Sequence, residues 1–192
     1  MERAGLSIID APMLQIADLS LRGGAIMLLL LVAGLLMRDF PRQTAARLGA
    51  ALAVGTAAYA ICSVPSIANQ QTWWHAPLLT LAAGNVVVFW LLALALFDDA
   101  FKVRAWHGGL WTAFVVVALV NFFVLCPAGL AAARFVGLAH GLGRVALAAL
   151  AVGQTLASWP ADLVEERRRL RVFIVGATAL YIAVEAASDL AV

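Results

Sequence analysis

The chain has 192 residues, 64% of them hydrophobic and only 12% charged, and its mean hydropathy is +0.96. Soluble domains run to roughly 45–50% apolar and about 25% charged residues, so the composition excludes an ordinary soluble domain and points to an integral membrane protein. The formal net charge of +2 is too small to argue for nucleic-acid binding, and at about 20 apolar residues per crossing the length allows about six helices and no sizeable soluble domain.

In chain order, residues 1–22 mix Glu2, Arg3, Asp10 and Asp18 with short apolar pieces and lack the basic start and cleavage site of a signal peptide, which predicts an interfacial segment. The first crossing is expected over Gly23 to Met37, closed by Arg38, Asp39 and Phe40-Pro41-Arg42. The second runs from about Ala45 to Val64 and stops at Pro65. A polar linker, Ser66 to His75, carries no formal charge and ends in a tryptophan pair suited to an interfacial belt. The third crossing starts after Pro77 and ends at Asp98 and Asp99, where Lys102, Arg104 and Trp106 follow. The fourth is Gly109 to Cys126, and the fifth runs from Leu130 to Trp159. The sixth, Val172 to about Leu190, follows the polar run ADLVEERRRLR at 161–171. No strand-like alternation is present, so the expected fold is all-α, a bundle of about six transmembrane helices over 23–192.

The distribution of basic residues predicts orientation. Arg38, Arg42, Arg47, Lys102, Arg104, Arg167, Arg168, Arg169 and Arg171 fall in odd-numbered loops, nine of the thirteen in the chain, whereas the even loops hold only Arg134. The odd loops are therefore expected in the cytoplasm, with both termini outside.

The run FWLLALALFDDAFKVRAWH, preceded by TWWHAPLL and followed later by ADLVEERRRLR, resembles the amino-terminal membrane region of bacterial AraC/XylS-type transcriptional regulators. The similarity extends over most of Arg22 to Val192. It implies a multi-helix sensor in the bacterial cytoplasmic membrane, in which seven helices lead into a cytoplasmic helix-turn-helix domain. The present sequence accounts for six helices, so the seventh and the DNA-binding domain are not expected among these residues, and no residue here inherits a DNA-binding role.

Polar residues within the apolar segments are costly in a bilayer and mark candidate sites. His140 and Arg144 lie four apart on one face of the fifth helix, and Glu185 and Asp189 lie four apart on the sixth. Antiparallel neighbours would bring His140 and Glu185 to similar depth, with Arg144 reaching upward and Asn85 and Asn121 joining the cluster. One reading is a buried ligand or proton site. The plainer and favoured one is a structural interhelical pair. Gly137 and Gly141 form a GxxxG step whose simplest role is internal packing. Cys62 and Cys126 both fall near the outer ends of their helices, which allows a disulfide if those ends touch and two free thiols if they do not. His75, His107 and His140 are too dispersed for a metal site, and Asp98 and Asp99 read as a solvated cap.

No phosphate loop, backed nucleophile or metal-ligand spacing is found, so neither an enzyme nor a cofactor is expected. Two functions from different classes remain: a membrane sensor receiving a lipophilic signal among its helices, and an accessory subunit packing against a membrane-protein partner or a second copy. A small transporter is less favoured, since paired broken helices and an inverted repeat are lacking. If Glu185 pairs with His140 or Arg144, Glu185→Ala is expected to lower stability by roughly 0.6–2 kcal/mol, read as a fall in thermal unfolding temperature in detergent.

Overall fold

The computed structural model describes residues 10–64, 72–97 and 101–157, together with Gly176 and Leu180. Among them every regular element is helical: α1 (Asp10–Asp39), α2 (Thr44–Cys62), α3 (His75–Ala83), α4 (Asn85–Phe97), α5 (Ala105–Val120) and α6 (Ala132–Ala157). Five spans are long and apolar enough to cross a membrane: Gln15–Asp39, Thr44–Cys62, His75–Leu96, Ala105–Leu125 and Ala132–Gln154. The expected sixth crossing and the basic run before it lie outside the described residues.

The first helix departs from expectation. No break separates an interfacial piece from a crossing at Gly23, because α1 is continuous from Asp10 to Asp39. At 1.5 Å per residue it is about 45 Å long, well over the roughly 30 Å of hydrocarbon it has to cross. Arg22 marks where the surplus begins. Its guanidinium pairs with Asp18 at 2.8 Å and donates to Ser63 Oγ at 2.6 Å, beside the carbonyl of Ala60 at 3.5 Å. It thereby satisfies a carbonyl at the C-terminus of α2, where the helix dipole also favours a cation. Residues 10–21 continue the same helix past that level.

Packing is organised by α2, which touches α1, α3 and α4. Ala46, Ala50, Ala53 and Ala57 are buried along it at steps of four, three and four residues, so one seam is small throughout. Ala33 of α1 packs on Ala50 and Ala53, and Gly49 leaves room for Leu36. On the other side a methyl group at Gly55 would collide with the Asn85 amide and stand 3.1 Å from the Leu81 carbonyl oxygen. Helix α4 is the buried centre, with Val86, Val87, Phe89, Leu91 and Ala93 packed on Leu147, Ala148 and Ala151 of α6.

The third crossing comprises α3 and α4, joined at Gly84. The hydrogen-bond ladder survives the joint: Gly84 N–H donates to Thr80 O at 3.2 Å and Val88 N–H to Gly84 O at 3.3 Å. The indole of Trp111 lies directly against Gly84, where any side chain would displace it. Pro77 sits in the first turn of α3 rather than before it, a position that has no intrahelical use for its missing N–H. The GxxxG step behaves differently from expectation, since a methyl at Gly141 would meet nothing within 4 Å, whereas one at Gly143 would press on Phe114 at 3.0 Å. Among the glycines of α6 the close approach is therefore at Gly143.

Two helices start with the same device. Thr72 N–H points to His75 Nδ1 at 3.4 Å, and Arg104 N–H donates to His107 Nδ1 at 2.9 Å. Each histidine is buried and lies against the preceding tryptophan, Trp74 at 3.8 Å and Trp106 at 3.9 Å between ring centroids. An Nδ1 that accepts leaves the proton of the neutral ring on Nε2.

The small-residue seam gives a paired prediction. Gly55→Ala overpacks the α2–α4 contact and is expected to cost about 1–3 kcal/mol. Gly34→Ala, where a methyl meets nothing within 4 Å, should be neutral or stabilising by up to about 1 kcal/mol. Thermal unfolding of both variants in one detergent checks the contrast.

Candidate functional site

At the end of α5 the backbone widens into a single π-helical turn, Asn121–Leu125, in which Cys126 N–H donates to Asn121 O at 2.9 Å. Its cause lies just downstream. Pro127 has no N–H to give, and its ring crowds the carbonyl four residues back, at Phe123, so a regular α-turn cannot be kept. Gly129, at φ +61, then reverses the chain with its N–H on Cys126 O at 3.1 Å. Isolated π-turns of this kind frequently mark functional sites, because they turn a side chain out of the regular helical register.

The side chain turned out here is Asn121. It lines a cleft of about 230 Å³ together with Tyr59 of α2, Cys126 of the turn and His140 and Arg144 of α6, with alanines of α3 and α5 and Phe122 completing the wall. Asn121 lies close to Gly137 of α6: a methyl there would stand 3.7 Å from Asn121 Nδ2, an ordinary van der Waals contact. His140 lies against Phe114, 5.2 Å between ring centroids. Tyr59, His140 and Arg144 already engage neighbouring groups. Asn121 Oδ1, in contrast, is buried and accepts no hydrogen bond among the described residues.

Of the polar residues singled out from the sequence, Asn121, His140 and Arg144 thus converge on one cleft. Asn85 does not join them, which corrects the expected four-helix cluster. Its amide, oriented to satisfy its neighbours, donates to Leu52 O at 3.2 Å and accepts from Thr56 Oγ1 at 3.0 Å, tying α4 to α2. The reason is rotational position: Asn85 faces Thr56 and the Leu52 carbonyl across the space that Gly55 leaves open. Glu185 and Asp189 lie outside the described residues. Cys62 and Cys126 are both free thiols, so the disulfide is not formed. The described residues hold no group of three or more metal-binding side chains.

Sequence reasoning passed over Tyr59, whose single hydroxyl on an apolar helix was the available signal. It also passed over the repeated Trp-His pair, 74–75 and 106–107, each three residues after the group it caps. Taken together, the described helices are those of a membrane-crossing bundle with a polar cleft beside a π-turn. Comparison with known proteins adds no relative to this description: no protein-family model, no curated protein and no solved structure matches the chain.

The two asparagines give opposite expectations. Asn85→Leu removes bonds to Thr56 and Leu52 and should cost roughly 0.6–2 kcal/mol. Asn121→Leu removes a buried acceptor that is unpaired, a group that itself costs about 1–3 kcal/mol, so the variant should be no less stable than the native chain. Thermal unfolding in detergent distinguishes them; equal losses would show that both are structural.

Proposed function

We propose that this chain is a multi-pass sensor of the bacterial cytoplasmic membrane that binds an amphiphile through the Asn121–His140–Arg144 cleft. The observation that carries the reading is the convergence of polar side chains from α2, α6 and the π-turn on a single cleft among largely apolar helices. Arg144 offers donors in a planar fork, Asn121 offers both donor and acceptor, and the Tyr59 hydroxyl serves as either. Such a lining suits a carboxylate, carbonyl or hydroxyl head.

Size narrows the ligand further. A cleft of about 230 Å³ is smaller than the roughly 300–1,000 Å³ that enclose a drug-sized molecule. A polar head therefore enters while an apolar tail stays among the lipids. In the orientation suggested by the basic residues, with both termini outside, Cys126 and the π-turn lie toward the outer face and the odd-numbered loops carry the response inward. The resemblance to the membrane region of AraC/XylS-type regulators supports a signalling role over a transport one.

The accessory-subunit reading has its own support in α1, which packs chiefly on α2 among the described helices and leaves Leu28 and Leu31 exposed on its outer surface. One experiment separates the two. Native mass spectrometry of the protein extracted from its own membranes in mild detergent should show a copurifying small amphiphile, lost in an Asn121→Leu, Arg144→Gln double variant that still folds. A chain that arrives with other membrane subunits and carries no small molecule would establish the accessory role instead. A mass above 20.3 kDa would place these residues within a longer regulator.

A further inference from the structure

A second cleft, of about 340 Å³, lies at the turn from α4 to α5 and shares no residue with the first. Its walls are aromatic: Trp90 of α4, Phe101 of the turn, and Trp106 and His107 of the first turn of α5. Trp106 lies 3.9 Å from His107 between ring centroids, Trp90 5.8 Å from Trp106, and Phe101 5.5 Å from His107. His107 is buried, and its Nδ1 is committed to the Arg104 N–H, which fixes the backbone from which the Arg104 side chain departs.

Aromatic enclosures of this kind ordinarily receive a cation. Here they cannot, because Lys102 and Arg104 line the same cleft. Both basic side chains are exposed, and among the described residues neither is ion-paired. A compact ammonium beside a planar guanidinium is a donor set for phosphate, the guanidinium contributing two parallel hydrogen bonds. The first turn of α5 adds the positive end of a helix of 16 residues. Position identifies the source of the phosphate. The cleft sits where the spans His75–Leu96 and Ala105–Leu125 end and begin, the level of lipid headgroups, and its indoles are the side chains that favour that level. Its volume admits about eleven water-sized groups, against about ten non-hydrogen atoms in a phosphoglycerol head, so the acyl chains stay outside.

We propose that this cleft is a binding site for the phosphodiester headgroup of an anionic phospholipid such as phosphatidylglycerol, held by Lys102 and Arg104 beside the contacting indoles of Trp90 and Trp106. The site is independent of the first cleft, and substitutions at Asn121 or Arg144 leave it intact. Asp98 and Asp99, which precede the turn in sequence and lie outside the described residues, are the competing partners for the two cations, and the test includes them.

The full chain, purified in a neutral detergent, is given equal amounts of dioleoyl phosphatidylglycerol and dioleoyl phosphatidylcholine, and the lipids retained are read by native mass spectrometry. The native chain is expected to prefer phosphatidylglycerol. Each basic residue near an anionic surface is worth roughly fivefold in binding, so Lys102→Gln with Arg104→Gln should lower that preference by about 30-fold. The charge-keeping exchange, Lys102→Arg with Arg104→Lys, should retain most of it, and unchanged helicity shows that the variants are folded. Equal retention of the two lipids by the native chain would overturn the proposal, as would a preference that survives the glutamine variant. So would a preference that emerges only with Asp98→Asn and Asp99→Asn, which would mean that the acids occupy the basic pair. Displacement of the lipid by glycerophosphoglycerol at equal concentration would identify a site for soluble anions and reject a lipid site.

Discussion

The small-residue seam of α2 is the contact on which the other helices depend. In a bilayer, lipid tails are as apolar as leucine, so helices gain nothing by hiding apolar surface from one another and must be held by close packing and hydrogen bonds. Alanines at 46, 50, 53 and 57 and glycine at 55 let two neighbours approach that closely. A hydrogen bond then fixes each approach. The Asn85 amide locks α4 to α2 through Thr56 and Leu52, and Arg22 locks α1 to the end of α2 through Ser63. With α4 placed, the largest cluster follows, since α6 packs Leu147, Ala148 and Ala151 onto it.

Asn85 and Asn121 show how one residue type serves two ends in this fold. Asn85 faces a helix that offers a hydroxyl and a carbonyl, and its bonds are all local to the α2–α4 contact. Asn121 opens a π-turn and points at Gly137, with an oxygen that nothing described satisfies. An unmet acceptor away from water is unfavourable, and Asn121 keeps one where Asn85 does not.

The Trp-His starts of α3 and α5 place the molecule in depth. His107 satisfies the N-cap N–H of its own helix, His75 takes the Thr72 N–H in the turn just before its helix, and the neighbouring indoles prefer the interfacial zone. Because the two starts lie at opposite ends of antiparallel spans, they bracket the crossing His75–Leu96 from both sides. His75 also meets Phe122 of the π-turn, with 6.3 Å between centroids, so the start of α3 and the end of α5 sit at one level.

Hydropathy alone determined the class of this protein and the middle of each described crossing, because a bilayer demands about 20 apolar residues whatever their neighbours are. Thr44–Cys62 and Ala132–Ala157 fall almost where Ala45–Val64 and Leu130–Trp159 were expected, and prolines and charges delimit them locally. The sequence also placed His140 and Arg144 on one face, as a four-residue step requires. What it left open was rotation and depth between helices, and these belong to tertiary structure. Only packing decided that Asn85 turns toward Thr56 while Asn121 turns toward α6, that Cys62 and Cys126 remain apart as thiols, and that Gly143 rather than Gly141 receives a neighbour. A helix is drawn from its own residues by backbone bonding, but the side it shows is chosen by what can approach it, and that information is spread over helices distant in sequence.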